Sequence, residues 1–185
     1  MENLYMDKRW TILDSAIEAT DRWAMLRYVQ TDYPATLRIN ELPEVHQRLV
    51  DTIGQHYDLS SCKYVEQWHN AGHSKTLPTE HLDKDERLWE STGEIRTPIC
   101  SSIMYLSVKN LRGANLEIDI TGLPINLPDL PKFREDQVQI LKPKESNIVL
   151  MDPGVWHKVT PFESGHRVAY LMNFWDSPLH NQEVI

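Results

Sequence analysis

Asn147-Ile-Val-Leu-Met-Asp-Pro-Gly-Val-Trp-His157, with Arg167-Val-Ala-Tyr-Leu-Met-Asn-Phe-Trp-Asp176 close behind it, carries the clearest fold signal in the chain. Asn147–Met151 is a short aliphatic run, closed by the turn chemistry of Asp152-Pro-Gly. A second strand is expected over His157–Pro161, a break at Ser164-Gly, and a third strand over Arg167–Trp175. The same texture extends back to Cys62. Strands are predicted over Cys62–Trp68, around Glu80–Asp83, and over Ile99–Ser107, Asn115–Ile120 and Gln137–Leu141. Breaks are expected at Asn70-Ala-Gly, Asn110-Leu-Arg-Gly, Gly122-Leu-Pro and Pro143-Lys. About eight short strands with irregular, Pro-rich connections predict two facing sheets around a cleft, a cupin-like jelly roll or double-stranded β-helix.

The first sixty residues read differently. Leu13–Arg27 has few β-branched residues and places Ile17, Trp23, Met25 and Leu26 loosely at helical intervals. Leu42–Gly54 is a clearer helix: Pro43 suits its first turn, Val45, Leu49, Val50 and Ile53 form a stripe, and Gly54 marks its end. His46 and His56 are expected at the surface or at helix ends. The fold class is therefore mostly β with N-terminal helices (α+β). A single domain is expected over 1–185, with helical support over 1–60, a jelly-roll core over 61–176 and a tail over 177–185. Two connections are long, Lys84–Pro98 and Thr121–Asp136; each reads equally as a lid or as a solvated surface loop.

A chain of 185 residues holds one ordinary core. Its net charge of −8 leaves no basic footprint for a nucleic-acid backbone. Two cysteines, Cys62 and Cys100, form neither a disulfide framework nor a Cys-x-x-Cys site, and each is expected as a small, partly buried residue in a strand. No secretion signal is seen at the N-terminus, and no apolar stretch approaches the ~20 residues of a membrane helix. A soluble protein of a reducing cytoplasm, with no membrane partner, is expected.

His81-Leu-Asp83, with the distant His157, matches the two-histidine, one-carboxylate set that holds non-haem Fe(II) on one octahedral face. In a strand, residues i and i+2 share a face, so His81 and Asp83 can aim at one metal while Leu82 turns away. Two neutral imidazoles and one carboxylate leave three coordination positions free. Taken alone, His-x-Asp reads equally as a turn with two ordinary polar residues. Arg167 adds a planar guanidinium able to grip a carboxylate bidentately. Together these residues suggest an iron enzyme that uses 2-oxoglutarate and O2. Tyr105 alternates into the same interior as Ile103; its hydroxyl either serves that carboxylate or is satisfied within the core.

From Cys62 to Asp176 the chain resembles the iron- and 2-oxoglutarate-dependent dioxygenases, and within them the prolyl-hydroxylase-like branch. The likeness rests on His81-Leu-Asp83, Tyr105-Leu-Ser107, Gly113-Ala-Asn-Leu116, Pro143-Lys, Asn147 through His157, and Arg167 through Asp176, in that order. The resemblance implies iron ligation by His81, Asp83 and His157, with Arg167 and Tyr105 on the distal carboxylate of 2-oxoglutarate. It departs at Gly113-Ala114, where the family has paired glycines, and at Ala169, where many relatives carry Ser or Thr. Asn173 stands where nucleic-acid demethylases of the superfamily have a second Arg. Asp83 stands where iron halogenases have Gly or Ala, which favours oxygen-atom chemistry.

The implied activity is hydroxylation of an unactivated C–H bond in a small molecule, an amino acid or biosynthetic intermediate, with release of succinate and CO2. Alternatives are a prolyl hydroxylase acting on a peptide or protein, and a non-catalytic jelly-roll binding module. A histidine-rich cupin fits Asp83 and Arg167 poorly. Substrate contacts are expected from Asn173, Trp68 and Arg96, with His69 and His73 as weaker candidates.

Overall fold

Among the described residues the named strands pair antiparallel, and the centre of the fold is built by two long strands that lie far apart in sequence. The computed structural model describes residues 9–29, 35–71, 79–120 and 133–184. Its elements run β1 (Trp10–Leu13), α1 (Ala19–Tyr28), β2 (Ala35–Arg38), α2 (Glu44–Gly54), β3 (Tyr64–Ala71) and α3 (Glu86–Thr92). They continue with β4 (Cys100–Gly113), β5 (Leu116–Asp119), β6 (Val138–Leu141), β7 (Ile148–Met151), β8 (His157–Val159) and β9 (Phe162–Trp175). The large sheet is ordered β1-β7-β4-β9-β3-β2 and a small one β6-β5-β8, so the protein is mostly β with few helices.

Side-chain alternation splits the large sheet into two faces. Val65, Met104, Leu106, Ile148, Leu150, Tyr170, Met172 and Phe174 point one way and pack under Met25 of α1 and Leu49 and Ile53 of α2. Ile103, Tyr105, Val149, Met151 and Ala169 point the other way and pack with Leu116, Ile118 and Leu141 of the small sheet. Helices thus cover one face, and the second sheet covers the other. The space between the sheets is where the polar residues of interest gather.

The N-terminal region differs from the sequence expectation in four ways. Trp10–Leu13 is an edge strand on β7, and the helix begins only at Ala19. Between them Asp14-Ser15 turns sharply, Ser15 taking φ +52° while its amide bonds Asn147 Oδ1 at 3.0 Å. Ala35–Arg38 adds a further edge strand on β3, so the first sixty residues contribute to the sheet as well as buttressing it. Trp23, expected on the packed stripe, is 61% exposed. His46, expected near the surface, is fully buried on the inner side of α2, where Nε2 meets the Tyr170 hydroxyl at 2.9 Å.

Two expected breaks are bulges instead. β4 and β9 are 14 residues each and stay paired through Asn110–Gly113 and Ser164-Gly165, with register shifts. Positive φ at Asn110 (+48°), Gly113 (+70°) and Gly165 (+88°) absorbs those shifts. A side chain on Gly165 would sit 2.3 Å from the Asn110 carbonyl oxygen, so the pairing needs glycine there. In a long antiparallel pair these turn residues bend the strand without ending it.

Within Lys84–Pro98, Glu86–Thr92 is a helix rather than a loop. Asp85 caps it, accepting the Leu88 amide at 3.1 Å, and Gly93 closes it at φ +74°. Most of the other long connection, 121–132, lies outside the described residues, as does His73. No helix among the described residues is long and apolar enough to cross a membrane. Both cysteines are free and buried.

Candidate metal centre

His81 and His157 are joined first through their backbones. The His81 amide donates to the His157 carbonyl at 3.0 Å and the reverse bond is 2.8 Å, an isolated antiparallel bridge. That pairing puts both imidazoles on one side, ring centroids 4.4 Å apart. Asp83 does not continue a strand, which corrects the expectation for Glu80–Asp83. Even so, Leu82 turns into the core (3% exposed) and Asp83 Oδ1 comes to 3.8 Å from His81 Nε2. The three donor atoms of His81, Asp83 and His157 lie within 4.8 Å of one another.

Both imidazoles are oriented in the same way. His81 Nδ1 meets the Thr79 carbonyl at 2.8 Å, and His157 Nδ1 meets the Val155 carbonyl at 3.0 Å. A carbonyl only accepts, so each Nδ1 carries a proton, and Nε2 is the nitrogen left to face the cluster. This outer bond is the usual way to fix a ligating histidine. Burial pushes the His157 imidazole below its ordinary pKa, Asp83 pulls it back, and His81 adds to the lowering; the net direction is down. A neutral imidazole is the form a cation needs, so these donors fit one divalent metal.

Asp83 is held in place from its C-terminal side. Two residues on, the Asp85 carboxylate is buried and accepts from the Leu88 amide, the His180 amide (2.8 Å) and Arg96 (2.6 Å). Burial would raise its pKa, but the two amides and the guanidinium outweigh that and hold it below the usual carboxylate value. The segment is thus pinned at His81 by the bridge and at Asp85 by the cap. Arg96, expected at the substrate, is committed here. Besides Asp85 it bonds Ser177 Oγ (2.8 Å) and the Pro178 carbonyl (2.7 Å), and it stacks 5.5 Å over Trp175. It clamps α3 to the end of the chain.

Arg167 lies on β9, on the face that meets the small sheet, and is 3% exposed. Nη1 donates to the Ala114 carbonyl at 3.3 Å, the guanidinium lies 5.2 Å over Phe162, and Nε has no hydrogen-bond partner among the described residues. Among the same residues no carboxylate pairs with it. Burial lowers its pKa, opposed only by Tyr105. Gly113-Ala114 shapes this seat. Ala114 is left-handed at φ +49°, and a side chain on Gly113 would meet the Pro161 carbonyl oxygen at 2.2 Å. Tyr105 is buried on the same sheet face. Burial pushes its hydroxyl up to about 12, tempered by Arg167, so it remains a proton donor at neutral pH.

Of the expected substrate contacts, Asn173 is buried on β9 six positions from Arg167 and on its face. Trp68 is opposite Leu171 on β3, on the same side. His69 alternates to the helix-covered face, opposite Tyr170. Glu66 was missed. It sits directly across from Asn173, whose Nδ2 approaches its carboxylate at 3.5 Å. Burial, with the nearby charge of Asp83, pushes its pKa up to about 7. The signal was available: Glu66 is two residues before Trp68 in one predicted strand, and so shares its face.

No sequence-family model matches the chain, and no curated protein matches it in sequence. Solved structures do. A prolyl-4-hydroxylase from Pseudomonas putida is 14% identical, with 91% of this chain and 86% of that one covered at a TM-score of 0.61. HygX from Streptomyces hygroscopicus is 10% identical, with 91% and 82% covered at 0.62. It has also been solved with iron and with nickel and 2-oxoglutarate bound. An oxidoreductase of the 2OG-Fe(II) oxygenase family from Burkholderia pseudomallei is 13% identical, with 95% and 89% covered at 0.57. At such identities backbone architecture is what is shared: the chain has the fold of the 2OG-Fe(II) oxygenases.

Proposed function

We propose that the chain is an Fe(II)- and 2-oxoglutarate-dependent dioxygenase that hydroxylates an unactivated C–H bond of a small molecule, the whole chain forming one jelly-roll domain. Arg167 carries this reading. A guanidinium buried without an anionic partner is costly. Its burial is explained if a ligand brings the carboxylate, and a metal site alone does not call for it. The two-histidine, one-carboxylate cluster fits the other end of such a ligand, a 2-oxo acid that chelates through two of three free positions.

In this reading His81 and His157 ligate through Nε2 and Asp83 through a carboxylate oxygen. Iron and 2-oxoglutarate supply the activation of O2 and the removal of a substrate hydrogen, with succinate and CO2 as by-products. The protein supplies placement. Arg167 takes the distal carboxylate in its fork, and Tyr105 donates its hydroxyl to the same group, a role Ala169 has no side chain to share. Ile103, Leu171 and Trp68 lie on the same sheet face as Arg167 and would border the bound cosubstrate. Asp83, a carboxylate where halogenases have none, supports oxygen transfer. Two free, buried cysteines suit a reducing compartment such as the cytoplasm.

The test is anaerobic addition of Fe(II) and 2-oxoglutarate to the purified chain. A visible charge-transfer band is expected; its absence with iron demonstrably bound would sink the cosubstrate assignment. Metabolite pools and proline-containing peptides, screened in parallel for stimulated succinate release, then separate a small-molecule enzyme from a peptide hydroxylase.

A further inference from the structure

Ser101, Asn173 and Glu66 stand side by side on β4, β9 and β3, each directly across from the next in the strand register. They form one polar row on the face that meets the small sheet, the face that also bears Arg167. Six residues along β9 separate Arg167 from Asn173, about 20 Å of strand. The polar groups of this face are therefore segregated: a buried cation at one end, and a carboxylate with an amide and a hydroxyl at the other. Asp83 acts electrostatically on Glu66, which places the row on the metal's side of the cleft.

Glu66 has no Lys, Arg or His paired with it among the described residues. Arg96, which stacks over Trp175, spends its guanidinium on Asp85, Ser177 and the Pro178 carbonyl. An indole borders this row. Trp175, two residues past Asn173 on the same face, is 1% exposed, and its Nε1 has no hydrogen-bond partner of normal geometry among the described residues. It lies near enough to Glu66 to offset part of the cost of that carboxylate's burial. The Glu66 carboxylate is half-buried, and its near donors are an amide at 3.5 Å and a poorly aligned indole N–H, so it keeps acceptor capacity for a further donor.

We propose that the substrate carries a basic nitrogen, which Glu66 receives as a charge-assisted hydrogen bond with the Asn173 side chain beside it. An oxygen near that nitrogen would take the Trp175 Nε1 proton. Such a molecule enters from the end opposite Arg167, so that one end of the cleft selects an anion and the other a cation. This inference rests on the proposed function for the identity of the reacting site, but the binding it describes stands apart from turnover.

The test uses zinc-loaded full-length protein without 2-oxoglutarate, titrated with L-lysine, spermidine and glucosamine, each beside its N-acetyl counterpart. At least one basic probe should bind about 10- to 100-fold tighter than its acetylated form, the scale of a charge-assisted hydrogen bond. Glu66→Gln, isosteric and checked for folding by thermal melting, should erase that preference. Equal or tighter binding of the acetylated forms, or no saturable binding of any basic probe, overturns the proposal whether or not the variant folds. The 2-oxoglutarate band is read separately on the iron form. A band without amine preference overturns only the inference, and amine preference without a band overturns only the cosubstrate reading.

Discussion

The two faces of the large sheet are made by alternate residues of the same strands, yet they treat polar groups in opposite ways. On the helix-covered face the few polar side chains bond one another: Tyr170 donates to Gln67 at 2.6 Å and meets His46 at 2.9 Å. On the cleft face, among the described residues, Arg167 has no anion, Trp175 Nε1 has no well-aligned acceptor, and two imidazoles leave Nε2 to face the cluster. The packed face pairs most of its polar atoms internally, His46 Nδ1 being an exception among the described residues. A surface prepared for ligands leaves them open, and the stability of the first supports the cost of the second.

The hardest test of this division is His157→Ala. It should lower succinate formation at least about 1,000-fold, the scale of losing one member of a group that acts as a unit, while the protein stays folded. Full turnover would show the ligand set to be wrong. Next comes the packed face. Phe174→Ala should cost about 3–5 kcal/mol in a denaturant titration, with metal affinity of the remaining folded protein unchanged. If metal affinity fell in parallel, the two faces would not be separable.

A smaller effect comes from His46. Burial lowers its pKa from 6.5 to about 4, and with Nδ1 unpartnered a proton there would be a buried, unpaired charge. The unfolded chain therefore binds the proton first. The stabilising contribution is complete above pH 6.5 and is lost as pH falls toward 4, by about 3 kcal/mol at most. His46→Gln should flatten that slope in melting curves recorded from pH 7 to pH 4. An unchanged slope would assign it elsewhere.

Arg167→Met sharpens the comparison most. Affinity for 2-oxoglutarate should drop about 100-fold by calorimetry, as expected for a lost bidentate ion pair. Without cosubstrate, thermal stability should hold or rise, because an uncompensated buried charge has been removed. A large loss of stability would make Arg167 a structural residue and leave the cosubstrate seat unassigned.

His81, Asp83, His157 and Arg167 were legible because donor chemistry and order along the chain are local properties. The i, i+2 rule brought His81 and Asp83 together even though the expected strand shrank to a single bridge. Asn173 was placed on the cleft side by the same rule. Arg96 was misplaced because its partners, Asp85, Ser177 and the Pro178 carbonyl, come together only when α3 docks against the chain end. The breaks at Asn110–Gly113 and Ser164-Gly165 were read as strand ends because turn residues look alike whether the chain reverses or bulges. Only a partner strand running past both distinguishes the two.

The sequence by itself determined which atoms could hold a metal and a dicarboxylate, since side-chain identity fixes donor type and strand period fixes which neighbours share a face. Tertiary structure decided which charges would be left alone. Arg167 without an anion among the described residues, Glu66 across from Asn173, and His46 sealed beneath α2 all depend on strands and helices distant in sequence. A residue's need for a partner is written in its chemistry, but whether the fold supplies one is settled only when the elements pack.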